Sequence, residues 1–127
     1  MERGERVFRV KVEQLADGSN LSDVIMRRAE VTGVRAARLD LRRADLRRTR
    51  ISDCAFTDAL MAELRLSGAR ISQTLFRGCD LTAADLSRVW FTDVEFEECT
   101  IDGTSFHGAT YDGTLVLPGV DVPLRAG

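Results

Sequence analysis

The sequence predicts an all-β repeat protein, a narrow column of short extended segments joined by turns. Three observations carry that prediction. An apolar residue recurs at every fifth position from Leu21 to Tyr111, nineteen times without a break in register. At the chain's 44% hydrophobic content, chance would produce such a run on the order of once in a million sequences. Two residues before the repeating apolar position, i, stands Ala, Ser, Thr, Cys or Val in 17 of 19 blocks, the exceptions being Leu39 and Leu64. Proline is absent from the repeats and occurs only after them, at Pro118 and Pro123. Stacked strands spend their N–H groups on ladder bonds, so a proline-free stretch suits them. A beat of five fits neither the helical period of ~3.6 nor the strand period of ~2. It is satisfied by a short extended piece and a turn in each block, with positions i and i−2 both pointing inward.

The blocks Ala44-Asp45-Leu46-Arg47-Arg48 and Ala84-Asp85-Leu86-Ser87-Arg88 show the pattern most cleanly, with Cys79-Asp80-Leu81-Thr82-Ala83 close behind. This resembles the pentapeptide-repeat family, whose consensus is A-(D/N)-L-x-x, over 95 of the 127 residues. The resemblance implies a right-handed quadrilateral parallel β-helix, a pentapeptide-repeat solenoid with four blocks per coil. At twenty residues per coil, 19–113 makes about 4–5 coils and a column of roughly 23 Å, taking ~4.8 Å between stacked strands. Residues twenty apart then stack. One inner column becomes Ala36, Phe56, Phe76, Phe96, a ladder of like rings. Larger side chains toward the C-terminus predict that this end is the wider and better packed.

Taken in order, residues 1–18 are expected to form an N-terminal cap. Phe8, Val10 and Val12 alternate there with charged residues as in a strand. Residues 19–113 carry the repeats. Their first part, 19–33, reads either as repeat or as a short amphipathic helix, with Ser22 as N-cap and Ile25, Met26 and Ala29 on one side. The tail, 114–127, is apolar at Leu115-Val116-Leu117 and Val122-Pro123-Leu124 and leaves the repeat. It is expected to cover the last coil or to pair with a second copy, giving a homodimer. Ends of such a column need covering because each exposes a strand edge.

Composition excludes several classes. No apolar run approaches the ~18 residues of a membrane span. The charged start, Met1-Glu2-Arg3-Gly4-Glu5-Arg6, is unlike a secretory leader. Cys54, Cys79 and Cys99 all occupy i−2 positions, as small buried residues of a reducing, cytoplasmic compartment would. Cys79 and Cys99 fall one coil apart, and two adjacent core thiols are the expectation there. No phosphate loop, zinc spacing or cofactor motif is present, so no catalytic, cofactor-binding or metal residue is assigned. His107, the single histidine, falls at an outward position.

Charge is the one asymmetry. Residues 27–50 carry nine Arg against Glu30, Asp40 and Asp45, whereas 51–113 carry eleven acids against four Arg. Stacking places Arg27 with Arg47 and Arg28 with Arg48 on one face, and Arg42 and Arg43 on the next; these six are the candidate basic binding face. The candidate acidic face is Asp93, Glu95, Glu97, Glu98 and Asp102. The column should be basic at one end and acidic at the other.

Three functions compete. The first is a non-enzymatic scaffold that docks a protein. The second follows from the resemblance: some bacterial members mimic DNA and protect DNA gyrase and topoisomerase IV from quinolones or toxins, dimerising through their C-terminal ends. The acidic half and apolar tail suit that role, and the Arg-rich coil opposes it. The third is binding of nucleic acid or another anionic partner by the Arg face. Trp90 and Tyr111 lie outside the Arg-rich segment in sequence, which removes stacking support. Phe76→Ala is expected to destabilise strongly, and Arg47→Ala to be nearly silent.

Overall fold

The computed structural model describes residues 1–118 and the backbone of Arg125 and Ala126. The chain winds into a right-handed quadrilateral β-helix, all-β and without a helix among the described residues. Its strands are β1 (Lys11–Val12), β2 (Glu30–Thr32), β3 (Arg35–Ala37), β4 (Arg50–Ser52), β5 (Ala55–Thr57), β6 (Arg70–Arg77), β7 (Trp90–Glu97), β8 (Thr110–Val116) and β9 (Arg125–Ala126). Every pairing is parallel, and Val31, Ile51, Ile71, Phe91 and Tyr111 align across successive coils. Short bridges such as Asp40 with Leu60 and Asp45 with Arg65 keep the same step of twenty on the other sides.

The inward positions define four faces in chain order. The first is built on Leu21, Leu41, Met61, Leu81 and Ile101, the second on Met26, Leu46, Leu66, Leu86 and Phe106. The third is built on Val31, Ile51, Ile71, Phe91 and Tyr111, and the fourth on Ala36, Phe56, Phe76 and Phe96. On the first two faces the block closes as a turn, with the N–H of Ala44 donating to the Leu41 carbonyl at 3.1 Å and that of Ala84 to Leu81 at 2.9 Å. Corner residues sit at i+2 with positive φ, for example Arg43 at 60° and Arg48 at 61°. That is the geometry of a type II turn, which glycine adopts freely. Yet fourteen non-glycine residues occupy the left-handed region. Ladder bonds on both sides hold them there. Relieving one site should show a gain: Ala83→Gly, at φ 59°, is expected to raise stability by up to about 1 kcal/mol in chemical denaturation.

Inside, apolar side chains fill the column from Val12 to Ala109. The rings of Phe56 and Phe76 stack at 5.5 Å, those of Phe76 and Phe96 at 4.6 Å and 6° between planes. Most polar residues at i−2 are accommodated by one device. Five donate to a carbonyl of the preceding coil, twenty-three residues back: Thr49 to Met26, Cys54 to Val31, Cys79 to Phe56, Cys99 to Phe76 and Thr104 to Leu81. Thr74 donates instead to the nearby Ser72 carbonyl at 2.9 Å, and Ser19 to that of Ala16 at 2.6 Å. No buried side-chain polar atom among the described residues lacks a partner. The three cysteines are buried free thiols. Burial raises the Cys54 thiol above its ordinary value, and the hydrogen bond with Cys99, then burial, raises Cys79. Thiols held protonated in this way, Cys54 and Cys79, pack rather than react; Cys99, the other member of the thiol pair, is instead lowered, to about 7, by its hydrogen bond with Cys79.

One alternative is settled, and two expectations need revision. Residues 20–32 are coil, with bridges at Asn20 and Ile25 and strand β2, and Ile25 faces outward rather than joining Met26 inside. At the N-terminus, Val7, Val10 and Leu15 pack on the core and Val12 is buried, while Phe8 is 56% exposed. Residues 6–12 therefore extend the ladder as an incomplete coil, with Arg6 opposite Ile25 and Val12 opposite Val31. This pairing steps by nineteen instead of twenty. The C-terminal coil, finally, is not the best packed. Ile101, Phe106 and Tyr111 are only partly buried, whereas Phe76, Phe91 and Phe96 are enclosed. A ring at the end of a column has a neighbour on one side only. Leu115 and Leu117 pack on the core there; Val122, Pro123 and Leu124 lie outside the described residues, and with them most of the proposed dimerisation tail.

Candidate functional site

Every inward position serves packing, so binding chemistry belongs to the outer faces and corners. Four of the six predicted basic residues meet. Arg27, Arg28, Arg47 and Arg48 line a groove of about 550 Å³ along the corner after the second face, together with Phe8, Arg9 and Ser67. Arg9, Arg28 and Arg48 are stacked corner residues of positive φ, continued by Gly68, Arg88 and Gly108. Arg42 and Arg43 lie one face away, and both are engaged, Arg42 with Asp40 at 2.7 Å and Arg43 with Asp23 at 2.9 Å.

Arg27 and Arg47 are engaged too. Both grip Asp45 at 2.8 Å, a carboxylate that is 4% exposed. Burial pushes the Asp45 carboxyl up, but the hydrogen bonds from Arg47 and Arg27 outweigh it and hold the group well below the ordinary carboxylate range. Arg47 is therefore structural as well as superficial. Arg28 and Arg48, by contrast, form no ion pair among the described residues.

The predicted acidic residues do not share one face. Asp93 is at the corner after the third face and accepts from the N–H of Thr114 at 2.9 Å. Glu95, Glu97 and Glu98 flank Phe96 on the fourth face and its corner, and Glu97 is taken up by Arg77 at 2.7 Å. Asp102 lies beside Ile101 on the first face. His107 is exposed and serves the ladder through its carbonyl, which accepts from Arg88 at 2.8 Å.

The third face holds what sequence order concealed. Pairing of β4, β6 and β7 aligns Arg50, Arg70 and Trp90 in one outward column. The Arg70 guanidinium lies 5.8 Å from the Trp90 ring centroid, and Trp90 is 42% exposed. A parallel row of hydroxyls, Thr32, Ser52, Ser72 and Thr92, runs beside them, and column and row bound a shallow hollow of about 430 Å³. Trp90 is thus beside arginine in space, although it is twenty residues from Arg70 and forty from Arg50. The signal was available: reading the i−1 positions in steps of twenty gives Glu30, Arg50, Arg70, Trp90, Thr110. Basic character consequently extends along the column through Arg70 and Arg88, and is sorted by face as well as by end.

A closed parallel coil with five-residue sides and side-chain columns twenty residues apart defines a solenoid protein of the β-helix class. The chain belongs to the pentapeptide-repeat family, whose model, described as "Pentapeptide repeat region", matches residues 29–106. No curated protein sequence matches it. Among solved structures it is similar to the pentapeptide repeat protein Rfr23 from the cyanobacterium Cyanothece 51142, at 18% identity and a TM-score of 0.52, over 89% of this chain and 88% of that one. A trypsin-treated variant of QnrB1, a plasmid-mediated fluoroquinolone resistance protein, matches at 19% identity and a TM-score of 0.45, over 84% of this chain and 54% of that one. The likeness to Rfr23 concerns the fold alone. No helix of the described residues is long and apolar enough to cross a membrane.

Proposed function

We propose that the protein is a non-catalytic scaffold that docks a protein partner against its rigid outer surface. One observation carries the reading: the interior is filled with packed side chains, while opposite outer faces differ in chemistry on a fixed register. The middle of the third face, at Arg50, Arg70 and Trp90, is basic and aromatic, between Glu30 at one end and Asp112 at the other. The first face presents Leu60, 43% exposed, in one bridged column between Asp40 and Asp80, with Arg42 and Arg43 beside them paired to Asp40 and Asp23. A ladder-bonded column holds such patterns without paying the ordering entropy of a loop. Buried unpaired thiols suit work in the cytoplasm. The test is capture of a stoichiometric partner by the immobilised protein, with the mass of the complex read by light scattering. Leu60→Glu is expected to reduce capture at least ten-fold without changing the melting temperature. Failure to retain any stoichiometric protein would overturn the reading.

The surface gives less support to DNA mimicry. A mimic of duplex DNA needs a negative potential along its length, and Arg48, Arg50, Arg70 and Arg88 interrupt it here. At micromolar concentration the purified protein is expected to leave gyrase supercoiling, and its inhibition by quinolones, unchanged.

A further inference from the structure

We propose that the third face is a platform for single-stranded nucleic acid, on which Trp90 stacks a base while Arg50, Arg70 and the neighbouring corner arginines hold phosphates. Four observations converge. Arg50, Arg70 and Trp90 occupy one outward column, set by backbone pairing and spaced by one coil, ~4.8 Å. Neither Arg50 nor Arg70 has a carboxylate partner among the described residues, although Asp23, Asp40, Asp45 and Glu97 all hold one or two arginines elsewhere. The indole is 42% exposed and already lies against the Arg70 guanidinium. The hydroxyl row beside them supplies further donors for phosphate oxygens, and the only acid in the column is Glu30 at its N-terminal end.

A nucleotide of a single strand matches both halves of this surface, because it offers an anionic phosphate and a free aromatic face. Duplex DNA has its base faces stacked on one another, leaving the indole without a partner. An acidic peptide would satisfy the arginines but gives the exposed indole nothing comparable. The corner residues Arg48 and Arg88 lie within the same strip and extend the cationic track beyond the hollow. The scaffold reading is tested at Leu60 on the first face, away from this platform, so either can fail without the other.

Trp90 is the single tryptophan of the chain, so its fluorescence reports the site directly. The full chain would be titrated with an oligo-dT about twelve nucleotides long, within the usual range for such grooves. Saturable quenching is expected. If about four phosphates are engaged, raising salt from about 50 to about 200 mM should weaken binding roughly fifty-fold. The double variant R50Q/R70Q should bind at least ten-fold more weakly at an unchanged melting temperature. Trp90→Leu, followed with a labelled oligonucleotide, should also lose about ten-fold. Absence of quenching, equal affinity for polyglutamate or for a duplex, or insensitivity to salt would each overturn the proposal. The salt and competitor measurements use the unaltered protein and stand even where a variant fails to fold.

Discussion

Phe76→Ala is expected to destabilise the protein by about 3–5 kcal/mol, among the largest losses available to a single truncation in this core. Its ring is 1% exposed and lies between Phe56 and Phe96, with the closest and most nearly parallel stack on the Phe96 side. Phe91 meets Phe96 edge to face at 5.8 Å, so the cluster turns the corner between the third and fourth faces. Coil spacing is set by ladder bonds, and the walls cannot collapse to fill the space a ring leaves. The cost is therefore transfer plus an unrelaxed cavity, with two aromatic contacts worth about 0.5–1.5 kcal/mol each among the losses. Phe106→Ala provides the internal comparison. Phe106 is only partly buried and meets one ring, Phe91, at 6.4 Å. It should cost clearly less. In a column whose coils contact only their neighbours, damage at the middle also weakens coupling between the halves. The thermal transition of Phe76→Ala should accordingly broaden as well as shift. Equal losses for the two variants in urea denaturation would contradict the packing described.

The inner half of the molecule was legible because its signal is local and repeated. Positions i and i−2 must be apolar or small in every block, so Phe56, Phe76 and Phe96 could be stacked, and the three cysteines placed inside, from arithmetic alone. The outer half was less legible for a physical reason. Outward residues are free to vary, and their meaning depends on neighbours twenty and forty positions away. Grouping charges by stretches of sequence found Arg27, Arg28, Arg47 and Arg48, which meet in one groove. It missed that Arg50 and Arg70 share a column with Trp90, with Arg70 against its ring, and it gathered Asp93, Glu95, Glu97, Glu98 and Asp102 although they spread over several faces. The ends were the hardest to read. The first coil steps by nineteen, and the alternation that groups Phe8 with Val10 and Val12 misleads there, because in the structure Val7 and Val10 pack on the core while Phe8 points outward beside Arg9.

Asp45→Ala is the second large effect, expected to cost about 2 kcal/mol at neutral pH. Asp45 accepts from the side chains of Arg27 and Arg47 and from the Arg47 backbone N–H at 3.2 Å. Removing it leaves that N–H without its acceptor and frees two guanidiniums that can turn to solvent. Arg47→Ala, expected from sequence to be silent, should cost about 1 kcal/mol instead, since Arg27 continues to hold the carboxylate. The sign with pH follows from the depressed carboxyl. Between its ordinary value near ~3.9 and its lower folded value, the unfolded chain binds the proton and the native protein does not. Stability from this site is therefore complete above that ordinary value and is lost as pH falls through the folded one. The gap between wild type and Asp45→Ala in urea should hold from about pH 7 to pH 5 and narrow below about pH 4. Salt separates this from a surface effect. Asp23, which Arg43 and Arg3 also hold below the usual carboxylate range, lies more exposed, and its pairs should fade with added salt. The Asp45 gap, enclosed beneath two arginine stems, should persist at about 1 M salt. A gap that salt removes would place Asp45 among the solvated pairs.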